Sequence, residues 1–382
     1  MIKTNFNCAG KYTLLPVRGR RMLNDFIRVA WIINRRDPNW IPPLICEVKE
    51  FLNPKKHPFY AHGSAEKFVL YRNNVPVGRI LVSDDPVLNE RQGTNFGAWG
   101  MFECIDDTEA AAMLFDAAKK WSRENFGRTS LLGPIDYSTN YPIGLLVRGF
   151  DTPPRYSMNH NPPYYEKLIL ACGMKNVQGM YAWWFRVAPD MLEKWGKRSD
   201  WLEKRTRIAI RPFEKRHIAR DTALCKKVYN AALGENWNYA ELSEKESAYF
   251  ARRLVQFSDV GHIFLALDQS EPVGFAACIP DLNEAIKPLN GRLFPFGFLK
   301  LLRNRSRINT ARMMVLCVHP NYRRRGISER LILRTLEYGL RERGYTHAEL
   351  GWTYRDNHAV NRIIERCGAI PYKTYHLYET SC

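Results

Sequence analysis

The hydrophobic and polar positions along the chain predict two successive sets of strands and helices. In the first set, apolar residues at helical or alternating spacing are separated by turn residues such as Asn73-Asn74 and Gly173. The predicted elements are a helix over residues 20–34, strands over 67–72, 75–83 and 95–103, a helix over 108–125, a strand over 130–132, a helix over 163–172 and a strand over 180–187.

The second half of the chain predicts a similar order of elements. These are helices over residues 221–232 and 244–256, strands over 262–268, 272–280 and 312–318, a helix over 327–343, a strand over 347–353, a helix over 358–367 and a strand over 372–379. The two halves agree in order and not in residue identity, which indicates a duplicated fold. We therefore expect a mixed α/β (α+β) fold of two domains, residues 1–190 and 206–382, separated near the charged, weakly patterned residues 188–205.

Composition narrows the class of protein. The 382 residues carry a formal net charge of +18, which attracts anionic partners. No zinc-finger spacing, aromatic RNA-binding motif or basic zipper accompanies that charge, so nucleic acid is not an expected partner. The nine cysteines form no CxxC pair, and no metal is expected. Residues 1–12 lack an apolar signal-peptide core, and no run of ~18 apolar residues occurs. These features indicate a cytoplasmic protein, and they leave peripheral contact with the inner membrane open.

The segment from Val318 to Ser328 carries the strongest chemical signal. It lies between an apolar strand and a long predicted helix. A tight loop that opens a helix presents unpaired backbone N–H groups, and the helix dipole adds partial positive charge. Gly326 lets a backbone approach a ligand closely, and Arg323, Arg324 and Arg325 add fork-shaped donors. The segment is therefore suited to bind a pyrophosphate.

This segment resembles the acetyl-CoA loop of the GNAT superfamily of acyltransferases. The family pattern is Arg/Gln-x-x-Gly-x-Gly/Ala after a strand that ends in Val-x-Pro, and Arg323 and Gly326 match it. Ser328 stands where Gly or Ala is usual, and it is also small. The resemblance implies acyl-CoA or acetyl-CoA as co-substrate. It also implies that the pyrophosphate is bound by the amides of Arg324, Arg325, Gly326, Ile327 and Ser328, and the pantetheine arm by the strand end Leu316, Cys317 and Val318.

A second GNAT-like feature begins at Asn357. Asn357, Arg366 and Gly368 lie in register with a family motif, so the resemblance adds Asn357 to the cofactor-binding residues. The tyrosine that commonly protonates the leaving thiolate in this family is replaced by Ile364. The identity of the general acid is therefore open.

The first half lacks a phosphate loop. The corresponding strand–helix turn, residues 103–108, reads ECIDDT, and acidic residues at a helix start cap it but repel phosphate. We expect a degenerate GNAT-like domain with a role in binding the acceptor. Residues 37–43, 77–80 and 159–162 resemble bacterial two-domain GNAT-like proteins. That group includes bacterial ceramide synthases, which N-acylate a long-chain base.

Acyl transfer to an amine needs a base and a group that protonates the thiolate. Glu349, in an otherwise apolar strand, and Asp356 are candidate bases, and Tyr354 is a candidate acid. The alternatives are a surface-facing glutamate and a packed aromatic ring. In the first half, residues 159–161 (NHN) are predicted either to contact the acceptor or to form a turn and helix cap.

Residues 282–307 interrupt the second half with apolar residues beside a basic cluster. Such a segment suits an anionic membrane surface, an acyl-chain tunnel or an acidic acyl carrier protein, or it packs as a loop on the core. The leading hypothesis is an N-acyltransferase that transfers an acyl group, long-chain if the insertion is functional, to an amine-bearing small molecule or lipid. The alternatives are a carrier-protein-dependent acyltransferase and a non-catalytic sensor or scaffold that binds acyl-CoA.

Overall fold

A computed structural model describes residues 10–187, 189–257 and 260–382. Residues 1–9, which are part of the segment expected to lack a signal-peptide core, lie outside the described residues, as does Ala188 in the predicted boundary. The chain forms two compact units. The first comprises Met1–Met180, Ile286–Phe294 and Lys373–Cys382, and the second comprises Tyr181–Ala285 and Pro295–Tyr372.

Thirteen strands and twelve α-helices are formed by the described residues. The strands are β1 (Thr13–Pro16), β2 (Ser64–Arg72), β3 (Val75–Asp84), β4 (Phe96–Cys104), β5 (Ser130–Gly133), β6 (Leu145–Arg148), β7 (Lys175–Arg186), β8 (Ile208–Pro212), β9 (Ile263–Asp268), β10 (Glu271–Pro280), β11 (Thr310–Val318), β12 (His347–Tyr354) and β13 (Ile370–Ser381). The helices are α1 (Gly19–Asn34), α2 (Ile45–Phe51), α3 (Pro86–Gln92), α4 (Thr108–Phe126), α5 (Tyr165–Ala171), α6 (Pro189–Arg205), α7 (Ile218–Leu233), α8 (Glu244–Phe257), α9 (Leu282–Ile286), α10 (Gly297–Arg305), α11 (Ile327–Arg343) and α12 (His358–Arg366).

In the first unit, strands β1 to β5 lie side by side in chain order. Neighbours are antiparallel except for β4 and β5, which are parallel and are connected through α4. The predicted turn between β2 and β3 is confirmed, since Asn73 and Asn74 have φ angles of 49° and 62°. Helix α4 packs its apolar face on the sheet, where Leu114 and Phe115 join Trp99 in the core.

The second unit repeats this topology with strands β8 to β12. Here too the neighbours are antiparallel except for the last pair, since β11 and β12 are parallel and are connected through α11. Helix α11 packs on one face of the sheet, with Leu331 against Val318, and α7 packs on the other face, with Val228 against Cys317. The shared strand order confirms the predicted mixed α/β fold of tandem domains.

The two units do not coincide with the predicted domains, because β7 and β13 each contribute residues to both units. Residues Tyr181–Arg186 of β7 lie beside β12 in the second unit, whereas the part of β13 from Thr374 to Ser381 pairs with β6 and β5 in the first. The predicted boundary at 188–205 is occupied by α6.

The insertion at 282–307 also differs from a plain loop. It contains α9 and α10, and its residues Ile286–Phe294 belong to the first unit. There the Lys287 ammonium donates to the Pro38 carbonyl, and the Trp31 indole donates to Asn290.

Candidate functional site

Strands β11 and β12 separate partway along their length. Their parallel register runs from Thr310 opposite His347 to Met313 opposite Leu350, and β11 then continues to Val318. On its other side, β11 stays paired with β10, but the register skips Met314. A bulge of this kind bends a strand and leaves its extra residue unpaired. Beyond the bulge, the edge of β11 that would face β12 is left without a ladder in the described residues.

The loop after β11 exposes a run of backbone donors. Arg324 and Gly326 adopt left-handed conformations, with φ angles of 64° and 77°, and α11 begins at Ile327. Across the described chain, the amides of residues 324 to 328 find no acceptor. Consecutive N–H groups of this kind form an anion-binding concavity, and the positive end of the α11 dipole strengthens it.

The three arginines of the loop are all exposed, but they differ in their contacts. Arg323 donates to the Ala232 carbonyl at 2.8 Å, which ties the loop to α7. The guanidinium of Arg325 lies 4.8 Å from the centre of the Tyr322 ring. Arg324 donates no hydrogen bond to any residue that the structure describes. Its charge is therefore the one most available to a ligand.

Gly326 has a packing role that the sequence did not reveal. A Cβ at this position would lie 2.6 Å from Leu202 of α6, so the close approach that requires glycine is to a leucine. The same helix contacts α11 again, because Glu203 pairs with Arg330 at 3.3 Å. Arg330 also donates to the Ile208 carbonyl at 2.9 Å. The charged segment predicted as a boundary is thus a helix packed beside the candidate phosphate loop.

The side chains of the β11 strand end are part of the core. Leu316 and Val318 pack with the α11 cluster, and Cys317 packs with the α7 cluster. Burial raises the pKa of the Cys317 thiol to about 12, so it stays protonated near neutral pH. These residues can therefore offer a ligand their backbone edge, as the resemblance implies, and not their side chains.

Glu349 lies at the position where the two strands begin to separate. Its side chain is 0% exposed, and Oε1 is 3.0 Å from Nε of Arg312, the residue opposite it in the register. The Tyr372 hydroxyl donates to the other carboxylate oxygen. Glu349 is thus a buried, paired carboxylate and not a surface-facing one. Neither Arg312 nor Tyr372 was predicted for the site, although an arginine within the apolar run of β11 was the available signal.

The other two candidate catalytic residues differ in exposure. Tyr354 is buried, and its hydroxyl donates to the Trp237 carbonyl at 3.1 Å. Burial, reinforced by the charge of Asp356, holds the pKa of Tyr354 well above its usual value. The hydroxyl therefore holds its proton and is engaged by a backbone carbonyl. Asp356 is exposed.

Asn357 has a local structural role. Its side chain accepts a hydrogen bond from the Val360 amide at 3.3 Å and caps α12. Asparagine is among the residues preferred at such a cap. The side-chain oxygen of Asn357 is thus engaged in the helix cap.

A buried hydrogen-bond chain near this cap was not predicted. The Trp183 indole donates to the Thr353 hydroxyl at 2.8 Å, which donates to Asn361 at 2.7 Å. Asn361 in turn donates to the Tyr354 carbonyl at 3.0 Å. An asparagine four residues after the helix cap was the only sequence signal, since Trp183 is remote in the chain.

The corresponding turn of the first unit has no free anion site. Asp107 caps α4 by accepting from the amides of Glu109 and Ala110. Its second oxygen is held by Lys11 and Tyr12, at 2.8 Å and 2.7 Å. The first helical amides are therefore already occupied by a carboxylate, as the acidic sequence of this turn predicted.

Residues Asn159, His160 and Asn161 show the contacts of a structured turn. Asn159 donates to the Gly144 carbonyl, and Asn161 exchanges hydrogen bonds with the backbone of Leu146. His160 lies 2.6 Å from Asp37 through Nε2. Burial lowers the pKa of His160 in spite of that carboxylate. These contacts fit the turn alternative for the two asparagines.

The described residues show neither a cluster of metal-ligating side chains nor a membrane-spanning helix. Within the described residues, no three or more His, Cys, Asp and Glu side chains gather in a way that could hold a metal ion. No helix in that part of the chain has both the length and the apolar character needed to cross a bilayer.

Known proteins of the GNAT family are similar to this chain in sequence. The model of the Acetyltransferase (GNAT) family matches residues 226–369. Protein YghO of Escherichia coli (strain K12) is 34% identical over 363 residues, which are 94% of this chain and 92% of that protein. Bacterial ceramide synthase of Caulobacter vibrioides is 31% identical over 376 residues, which are 96% of this chain and 97% of that protein.

Solved structures agree on the fold. A tandem GNAT protein from the clavulanic acid biosynthesis pathway superposes with a TM-score of 0.58 at 13% identity, over 97% of this chain and 98% of that one. A GCN5-related N-acetyltransferase from Sphaerobacter thermophilus gives a TM-score of 0.55 at 11% identity, over 98% and 97% of the two chains. Together with the two relatives of near-equal length, these findings show that the chain belongs to the GNAT family and is a tandem-domain acyltransferase.

Proposed function

We propose that the protein transfers a long acyl chain from an acyl-CoA thioester to the amine of a lipid or long-chain base. In this reaction the amine nitrogen attacks the thioester carbonyl and loses a proton. The C–S bond breaks, the thiolate takes up a proton, and the products are an amide and free CoA. A non-catalytic acyl-CoA sensor, the alternative raised by the missing tyrosine, would bind the same donor without releasing CoA.

The observation that carries the proposal is the run of five unpaired amides from Arg324 to Ser328 at the start of α11. A pyrophosphate presents several anionic oxygens, and it can accept from such a run without displacing any internal hydrogen bond. The unpartnered guanidinium of Arg324 adds a charge-assisted donor. The capped start of α4 offers neither feature, so we assign the donor to the second unit.

The edge of β11 beyond Met314 supports the same assignment. The pantetheine arm of CoA carries two amide groups, which can pair with an unladdered strand edge as a short extra strand would. That edge lies between the phosphate loop and the point where β11 leaves β12. A thioester held along it would place its carbonyl toward the Glu349 end of the strand, which makes Glu349 the better placed of the two proposed bases.

The lipid acceptor and the long acyl chain rest on one relative. A ceramide is the amide of a fatty acid and a long-chain base, and a relative that matches 96% of this chain is named a bacterial ceramide synthase. The length and identity of that match extend over both units. We therefore infer the same class of amine for this chain.

The test is calorimetric titration of CoA, acetyl-CoA and palmitoyl-CoA, kept below its micelle concentration, into the wild type and Arg324→Gly. Glycine accepts the left-handed backbone, so the variant removes the guanidinium and keeps the loop. We expect binding that weakens with ionic strength, and a loss of affinity of about tenfold in Arg324→Gly. Arg72→Gly, with the same loss of charge at the end of β2, should bind normally.

Activity is measured as free CoA released in the presence of sphinganine, a long-chain base. Release that depends on the amine supports the acyltransferase, whereas binding without release would indicate the sensor. Failure of the wild type to bind any CoA species would overturn the CoA-dependent proposal in favour of a carrier-protein donor.

A further inference from the structure

Helix α10 is a nine-residue helix in the second unit with no buried side chain. Gly297, Leu301 and Asn304 are its less exposed residues, and the Asn304 side chain donates to the Ala285 carbonyl at 3.3 Å. These three residues recur at spacings of four and three, so they mark the inner side of the helix. The remaining circumference faces solvent.

That outer side carries large apolar side chains. Phe298, Leu299 and Leu302 are 56%, 64% and 49% exposed, and Phe296, which directly precedes the helix, is 68% exposed. At about 100° per residue, Phe298, Leu302 and Leu299 span an apolar arc of roughly 100° opposite the inner side. Single exposed apolar residues are common on surfaces, but a contiguous arc on one short helix marks an interaction surface.

Cations border the arc on both sides. On the same helical projection, Arg305 lies beside Phe298 on one border, and Arg303 and Lys300 follow Leu299 on the other. Arg307 follows the helix, and the sequence contains no acidic residue between Glu284 and Glu329. None of the three cations on α10 is offset by an acidic residue of the same segment.

An apolar arc with Arg305 on one border and Arg303 and Lys300 on the other is the arrangement of a helix that lies in the surface of an anionic bilayer. The apolar side chains enter the boundary between headgroups and acyl chains, and the cations stay level with the anionic headgroups. A helix of nine residues is too short to span the bilayer, which requires about 20. A bilayer is anionic at its surface and apolar just beneath it, which matches cations at the borders of the helix and apolar side chains between them.

We propose that α10, with Phe296, is a membrane-docking element that binds anionic lipid surfaces. The element is separate from the candidate phosphate loop, and its binding to lipid does not depend on the proposed acyl donor. Docking would bring the enzyme, in whose described residues no helix is long and apolar enough to cross a bilayer, to a surface where long-chain amines and acyl donors accumulate.

The test is co-sedimentation of the full-length protein with phosphatidylglycerol-containing and pure phosphatidylcholine vesicles. Two variants probe the element: Phe298→Ser/Leu302→Ser for the apolar arc and Lys300→Glu/Arg303→Glu for the cations. Two matched controls alter exposed residues of the first unit: Val75→Ser/Leu170→Ser for apolar exposure and Lys55→Glu/Lys56→Glu for charge. Thermal unfolding should be unchanged in all four, because every altered side chain is exposed.

We expect the wild type to prefer the anionic vesicles, and each α10 variant to lose at least about tenfold in partitioning. The controls should partition like the wild type. Equal binding of wild type and α10 variants, or no preference for anionic lipid, would overturn the proposal. Light scattering tests whether a second copy of the chain covers this face instead. A wild-type protein that is dimeric and binds no vesicles, together with monomeric α10 variants, would assign the face to a dimer interface.

Binding of CoA is measured separately by the calorimetric titration above. If the protein binds vesicles and no CoA, the docking proposal stands and the proposed acyl donor is wrong. If it binds CoA and no vesicles, the proposed donor stands and the docking proposal is wrong.

Discussion

Glu349 joins three strands of the second unit through one buried carboxylate. It lies on β12, its ion-pair partner Arg312 lies on β11, and Tyr372 contributes its hydroxyl from β13. Burying two charges costs several kcal/mol each, and a pair that loses one partner leaves the other uncompensated. The same carboxylate is thus a structural link as well as the better placed candidate base, and a single substitution does not separate the two roles.

A second substitution separates them. We expect Glu349→Gln to lower the free energy of unfolding by about 3–5 kcal/mol, because it leaves the Arg312 charge unpaired. Arg312→Met in the same chain removes that charge and should restore most of the stability. If Glu349 is the base, acyl transfer should stay at least about 100-fold below wild type in the restored double variant.

Denaturant unfolding and the rate of CoA release measure the two effects. Recovery of activity together with stability would show that Glu349 acts only as a structural link. Tyr372→Phe serves as the matched control, since it removes one hydrogen bond to the same carboxylate and keeps the charge.

Helices α4 and α11 occupy equivalent places in the two units and differ at their first turn. Asp107 fills the amides of α4, whereas α11 begins after a left-handed glycine with its amides open. This contrast was readable from the sequence, because Asp is a strong helix cap and the Arg-Arg-Arg-Gly run is not. The packing of α6 on the α11 loop was not readable, since it depends on a contact between Leu202 and Gly326, residues remote in the chain.

Gly326→Ala tests that packing. The added Cβ would clash with Leu202, and alanine disfavours the left-handed backbone conformation of this position. We therefore expect a loss of about 1–3 kcal/mol in unfolding free energy. Leu202→Ala opens the space, and the loss in the double variant should be smaller than the sum of the two single losses. Chemical denaturation of the four proteins measures the coupling. Additive losses would mean that α6 does not press on the loop.

At the scale of the whole molecule, buried charges also make stability depend on pH. Asp136 of the first unit accepts from the Met101 amide at 2.8 Å, and burial raises the pKa of its carboxyl from 3.8 to about 6. The nearby Arg79 opposes that rise in the pKa, and Glu103 adds to it. The folded state therefore holds this proton more tightly than the unfolded state does.

The contribution of Asp136 to stability is fully present below about pH 4 and is lost as pH rises through about 6, and this loss is about 3 kcal/mol. Asp136→Asn keeps the oxygen that accepts from Met101 and removes the ionisation. Its stability relative to wild type should rise between pH 4 and pH 7 and then level off. Unfolding by denaturant at a series of pH values checks this, and a difference that does not vary with pH would contradict it.

The sequence by itself determined most of the local structure and the type of chemistry. The period of apolar residues and the turn residues at Asn73, Gly173 and Gly326 are local signals, so the predicted bounds of α11 agree with the structure and those of α1, β3 and β4 differ by one residue. The candidate phosphate loop is also local, because its backbone donors belong to consecutive residues. Because the motif is contained in one short segment, its resemblance to the GNAT family was readable from the sequence.

Only the tertiary structure decided which residues from distant parts of the chain meet. Arg312 and Tyr372 join Glu349 across three strands, α6 closes on Gly326, and β7 and β13 cross between the halves of the chain. Each depends on contacts between residues far apart in sequence, and neither the apolar period nor the type of a single residue specifies its distant partner. The exposure of α10 was also decided by the tertiary structure, because the same amphipathic segment would be a core element if its outer side were covered.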